Sequence, residues 1–177
     1  ALTQTPPPPV IPKRNEMNPE LRRVKVSRSM SEETTAFTGQ LWVDGEYIAD
    51  VRNDGRGGNN DIQHLFDGNG LNTRPQIAAF EAWCEGQPST VVAVNDAPGA
   101  ETFTVGMNAD YYITLLLANY EEEQQIKRWC KTKTVIRLNG DAKGSYHQYK
   151  RPYSPEFAAR IRVQEPDLAE ILNERYI

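Results

Sequence analysis

The stretch NDGRGGNN, residues 53–60, puts three glycines and three asparagines around an aspartate and an arginine, directly after a strand-like run. Backbone N–H groups in such a loop can converge on a phosphate, most often where the loop opens a helix. Asn53, Asp54, Gly55, Arg56, Gly57, Gly58 and Asn59 are therefore a candidate ligand loop, for a nucleotide-binding module or a small enzyme. No Gly-Lys-Ser/Thr follows, and the next segment, DIQHLF, reads as a strand. The context of a P-loop or of a dinucleotide fingerprint is missing. A turn that needed glycine is the competing reading.

A second candidate is the basic block over residues 127–151, KRWCKTKTVIRLNGDAKGSYHQYKR. Lys131, Lys133, Arg137, Lys143, Lys150 and Arg151 are interleaved with Tyr146 and Tyr149. Cations on strands hold phosphates, and tyrosines between them can stack on bases. In a strand over residues 132–139, Lys133, Val135, Arg137 and Asn139 share one face and Thr134, Ile136 and Leu138 the other. Lys133 and Arg137 then project together while Ile136 and Leu138 anchor the core. The competing reading is a solvated sheet face, or a surface that meets the acidic parts of the chain.

Catalytic and metal constellations are thin. His64 and His147 are the only histidines and neither lies in an HExxH or CxxC setting, so no metal site and no cofactor are expected. No GxSxG elbow occurs. Cys84 and Cys130 each follow a tryptophan and read as small buried hydrophobes. Asp50, Asp54 and Asp61 cluster in sequence near the glycine loop, where a divalent cation is the weaker alternative to solvated acids. The chain reads as a non-enzymatic protein with no catalytic residue.

The elements that must position these residues are visible from local signals. Asp44-Gly45 sits between two β-rich runs, FTGQLWV and EYIADV, and suits a two-residue hairpin turn. That register pairs Val43 with Glu46, Trp42 with Tyr47 and Leu41 with Ile48. Both faces carry apolar residues, so a central hairpin covered on both sides is expected. Further strands are expected over residues 21–30, 63–66, 90–94, 102–105, 132–139 and 145–150. Helices are expected over 75–85, from an Asn108 cap to 130, after Ser154-Pro155, and from Pro166-Asp167 through Leu168, Ile171 and Leu172. The sum is α+β: a mainly antiparallel sheet with a central Asp-Gly hairpin and two to four packed helices.

Residues 1–20 contain six prolines, four of them consecutive, which favours an extended, flexible arm. Residues 21–177 then form a single domain, long enough to bury about 70% of its unfolded surface without a disulfide. The longest apolar run, 113–118, is too short for a membrane span, and no signal sequence opens the chain. A cytoplasmic protein is expected.

Charge is strongly segregated. Residues 1–28 hold six basic and two acidic side chains, 29–126 three and sixteen, 127–151 eight and one, and 152–177 three and five. Opposed faces of this kind suit a macromolecular partner. The basic face would hold phosphates, or the acidic segments would imitate DNA before a protein that handles it.

The segments GQLWVDGEYIADVRNDGRGGNN and KRWCKTKTVIRLNGDAKGSYHQYKRPYSPEF, with the ending ILNERY, resemble small uncharacterised accessory proteins of bacteriophages and related mobile elements, over about half the chain. The resemblance implies a setting in the bacterial host cytoplasm and brings no catalytic residues. The expectation is an accessory protein that binds a host or viral protein, or nucleic acid, and so modulates host machinery or defence. A structural or assembly component is the remaining alternative.

Overall fold

The computed structural model describes residues 16–94 and 99–177. Most of the proline-rich segment, residues 1–15, and the first four residues of the NDAPGAE turn, residues 95–98, lie outside the described residues. Among the described residues the fold is α+β, with three α-helices and three antiparallel sheets of four, two and three strands. The chain divides into two compact units, Ala1–Ile113 and Thr114–Ile177.

In the first unit, β1 (Pro19–Val26), β2 (Phe37–Val43), β3 (Glu46–Asn53) and β4 (Asp61–His64) pair in that order. The β2–β3 hairpin is central, and its turn is as the residue types require: φ is 51° at Asp44 and 83° at Gly45, the left-handed pair that Asp-Gly tolerates. Val43 pairs with Glu46 and Trp42 with Tyr47, but Leu41 pairs with Ala49, because Ile48 is the extra residue of a bulge. A bulge turns two consecutive side chains of one strand toward the same side. Ile48, Ala49 and Val51 are all buried while Asp50 and Arg52 are exposed. Among the described residues the expected covering of both faces is not found: Phe37, Leu41 and these three form the buried side, and Trp42 and Tyr47 stack on each other half-buried at 5.6 Å.

Helix α1 (Arg74–Glu85) follows β4 and buries Ile77, Phe80 and Cys84. Thr73 stands before it, fully enclosed: its hydroxyl donates to the Ile48 carbonyl at 2.6 Å and accepts from Leu65 N–H at 2.8 Å. The hairpin β5 (Thr90–Ala93) and β6 (Thr102–Val105) forms a sheet of its own. It leaves Val91 65% and Phe103 52% exposed. Helix α2 (Ala109–Cys130) starts at the Asn108 cap, whose side chain accepts from Tyr111 N–H at 2.8 Å. Among the described residues no helix is long and apolar enough to cross a membrane.

The second unit is built on β7 (Thr134–Leu138), flanked by β8 (His147–Tyr149) and β9 (Leu168–Ile171). Helix α3 (Pro155–Gln164) is capped by Ser154, which accepts from Phe157 N–H at 3.2 Å. A 3-10 helix, Leu172–Tyr176, follows β9. The helix expected from Pro166-Asp167 is thus a strand and a 3-10 turn. Leu168, Ile171 and Leu172 have helical spacing, but β7 has a second open edge, and ladder pairing of Ile136 with Ile171 outweighs local propensity over so short a run.

Strand β7 is enclosed on both sides. Val135 packs with Ile126 of α2 and with Leu172, while Ile136 packs with Phe157, Ala158 and Ile161 of α3 and with Ile171. Each such side chain contributes about 1.5–3 kcal/mol by leaving water. The face shared by Lys133, Val135 and Arg137 is consequently a core face at its centre, and the two cations stand at its opposite ends.

Candidate nucleic-acid interface

The glycine loop joins β3 to β4, and the N–H groups of Gly55, Arg56, Gly57 and Asn60 are already engaged. Asn53 Oδ1 accepts from Gly55 N–H at 2.9 Å and from the Thr34 hydroxyl at 2.7 Å. Asp54 accepts from Arg56 N–H, Thr34 from Gly57 N–H and Asp110 from Asn60 N–H. The converging amides lie opposite the loop: Glu32, Glu33 and Thr34 all donate to the Gly55 carbonyl, at 2.9–3.2 Å. Such an array of N–H groups is the geometry of an anion nest, and here a carbonyl fills it. Gly55 and Gly57 have φ of 86° and 89°. A Cβ on Gly55 would lie 2.2 Å from the Met30 carbonyl oxygen, and one on Gly57 2.2 Å from a Glu33 carboxylate oxygen. That carboxylate beside the loop disfavours a phosphate. Gly58 has open space around it, and Arg56 and Asn59 are exposed.

The basic block splits into two ends of one small sheet. Lys131 and Lys133 lie in the turn from α2 into β7. The β7–β8 ladder ends on the pair Thr134–Tyr149, so Lys133 and Lys150 flank the same end of the sheet. The Thr134 hydroxyl donates to the Arg151 carbonyl at 2.9 Å, which fixes the following residue there. Lys133 Nζ donates to Gln148 at 2.7 Å, and the Arg151 guanidinium lies 4.8 Å over the Phe157 ring. Lys131, Lys133, Lys150 and Arg151 thus lie at one corner of the sheet, Lys133 reaching along one face and Arg151 along the other, and none of the four has a carboxylate partner among the described residues.

The other end is mixed in charge. Arg137 lies 3.7 Å from Glu170, its cross-strand partner on β9, and Glu170 is also held by Arg175 at 2.6 Å. The Arg175 guanidinium keeps the Glu170 carboxyl below its usual range. Lys143 is exposed in the loop between β7 and β8, where Asp141 accepts from Leu138 N–H and faces His147 at 3.2 Å. The two tyrosines are not open stacking platforms. Tyr146 donates to Glu122 at 2.8 Å and meets Trp129 edge-on, while Tyr149 donates to Glu165 and meets Phe157 edge-on.

His64 lies on β4 in the first unit and His147 on β8 in the second. Asp50 accepts from the Tyr47 hydroxyl and Asp61 pairs with Arg52 at 3.0 Å. Among the described residues no group of three His, Cys, Asp or Glu side chains is placed to hold a metal. Both cysteines are free thiols.

Sequence reasoning passed over an open cavity of about 540 Å3 beside the basic corner. Cys130, Lys131, Pro152, Tyr153, Asn173 and Tyr176 are among its lining residues. The one local signal was the placement of Pro152-Tyr153 directly after the cations Lys150-Arg151. No protein-family model, curated protein or solved structure matches this chain.

Proposed function

We propose that this is a non-enzymatic binding module that engages the phosphate backbone of nucleic acid through the corner made by Lys131, Lys133, Lys150 and Arg151. The observation that carries this reading is that the four residues lie at one end of the β7–β8 ladder with no carboxylate partner among the described residues. Elsewhere in the block Arg137 is shared with Glu170 and Lys127 with Glu123. A phosphate chain displaces solvent ions at such a corner and gains from counterion release. The resemblance to phage accessory proteins supplies a matching setting, in which a host or viral nucleic acid is the partner.

The exposed apolar hairpin β5–β6 favours a second reading, an assembly component, since exposed valine and phenylalanine on a short separate sheet suit a protein contact.

Fluorescence anisotropy with labelled single-stranded and duplex oligonucleotides over a salt series tests the first reading. Affinity should fall steeply with salt, and the double charge reversal Lys150→Glu/Arg151→Glu should flatten the log–log slope by about 1.4–1.8, from roughly 0.7–0.9 per neutralised phosphate. Salt-insensitive binding, or none, would remove it.

A further inference from the structure

The cavity beside the basic corner shares Lys131 with it, and its other lining residues include two tyrosines, the side chains of a stacking site. Resting on the reading above, we propose that it receives one unstacked nucleobase, so that the partner is single-stranded nucleic acid bound with little sequence preference.

Three features support this. The cavity continues directly from the cations, because Pro152 and Tyr153 follow Lys150 and Arg151 in the chain and Lys131 belongs to both. At about 540 Å3 it lies within the roughly 300–1,000 Å3 of small-molecule sites, enough for a base and its sugar. Two aromatic rings line it. Tyr153 is held by its hydroxyl on Glu174 at 3.1 Å, and the Tyr176 ring lies under Lys127 Nζ at 5.5 Å.

Electrostatics around the cavity permit a polyanion. Glu174 is clasped by Arg162 through both carboxylate oxygens, at 2.7 and 2.8 Å. Glu123 is paired with Lys127 at 3.0 Å. Lys131 is left to meet the phosphate of the inserted nucleotide.

The lining residue Asn173 is why little sequence preference is expected. Asn173 donates to the Cys130 and Lys133 carbonyls and accepts from Val135 N–H. Both its donors are used and its oxygen is engaged, so it has no N–H left to read a base edge. Stacking on aromatic faces is tolerant of base identity. A duplex cannot offer a base to the cavity without unpairing it.

The test compares a labelled oligothymidylate with a duplex of equal length, and follows Cys130 alkylation by N-ethylmaleimide. Cys84 is fully buried and Cys130 only partly, so Cys130 reports on the cavity in the folded protein. The expected result is about tenfold tighter binding of the single strand, with Cys130 protected by it and not by the duplex. Tyr176→Ala, at a surface position, and Tyr153→Leu should each weaken single-strand binding severalfold to tenfold and leave duplex binding and the salt slope unchanged. Equal affinity for both nucleic acids with Cys130 unprotected would overturn the base-insertion proposal and leave the phosphate corner standing. Failure to bind either would overturn both.

Discussion

Asn173 completes the β7 ladder with its side chain: Asn173 Oδ1 accepts from Val135 N–H at 2.8 Å, and its amide donates to Lys133 O at 2.8 Å. Asn173 and Val135 are buried and Lys133 is half-buried. A 3-10 helix cannot supply ladder hydrogen bonds from its backbone, and the amide side chain substitutes for it. Asn173→Leu leaves the buried Val135 N–H and the half-buried Lys133 carbonyl without the amide, at about 1–3 kcal/mol for a buried group. Urea denaturation should show a loss of about 3 kcal/mol. A loss within experimental scatter would mean that water replaces the amide.

Two glycines three residues apart should respond oppositely to alanine. Gly55→Ala meets a left-handed backbone and the Met30 carbonyl at 2.2 Å, so destabilisation of more than about 2 kcal/mol is expected. Gly58→Ala meets open space at an ordinary φ and should be neutral or slightly stabilising. Thermal melting of the pair separates architecture from ligand binding: a nucleotide that raises the melting temperature of the wild type but not of Gly58→Ala would revive the loop as a site.

Arg137 is expected to matter less for nucleic acid than its neighbours in sequence suggest. Glu170 already compensates it, so Arg137→Ala should change affinity less than twofold. Lys150→Ala and Arg151→Ala should each weaken binding severalfold at low salt. The reverse ranking would move the interface to the other end of the sheet.

Much of the fold is written locally and the rest is not. Asp44-Gly45, the Asn108 cap and the Ser154-Pro155 start are set by neighbours in sequence, and each lies where its residue types imply. The Ile48 bulge and strand β9 depend on what faces them across space. The site inherits that difference. The helical spacing of Leu168, Ile171 and Leu172 conceals β9, and with it the Glu170 that pairs with Arg137. The alternation along residues 132–139 groups Lys133 with Arg137, whereas the ladder end groups Lys133 with Lys150. Lys131, Lys133, Lys150 and Arg151 stand among the cations legible in the sequence, but their assembly into a corner needs the β7–β8 register. The cavity needs the 3-10 helix as well.

Acid should act on the second unit through Glu170. Its carboxyl is held below the ordinary range by hydrogen bonds from Arg175 and then by the charges of Arg175 and Arg137. A depressed carboxyl contributes stability that is present above its unfolded pKa and is lost as pH falls through the folded one. Glu170→Gln should lower stability at neutral pH and narrow the difference from wild type toward the acid limb, read from melts across the range. A constant difference at all pH would assign the effect to packing.

Alkali should act on the first unit through Cys84. Burial, with the Glu81 and Glu85 carboxylates adding to it, pushes this thiol from 9.0 to about 12. A raised pKa contributes stability fully present below 9.0 and lost as pH climbs toward about 12. Cys84→Ala should therefore remove part of the alkaline loss, measured as the difference between the two pH profiles.

The Gly55 carbonyl that gathers three successive amides has a consequence for exchange with deuterium. Glu32, Glu33 and Thr34 lie outside any helix or strand, where amides ordinarily exchange quickly and independently. Sharing one acceptor, they open only when the 53–60 loop lifts away, so their three protection factors should be nearly equal. Gly55→Ala should lower all three together.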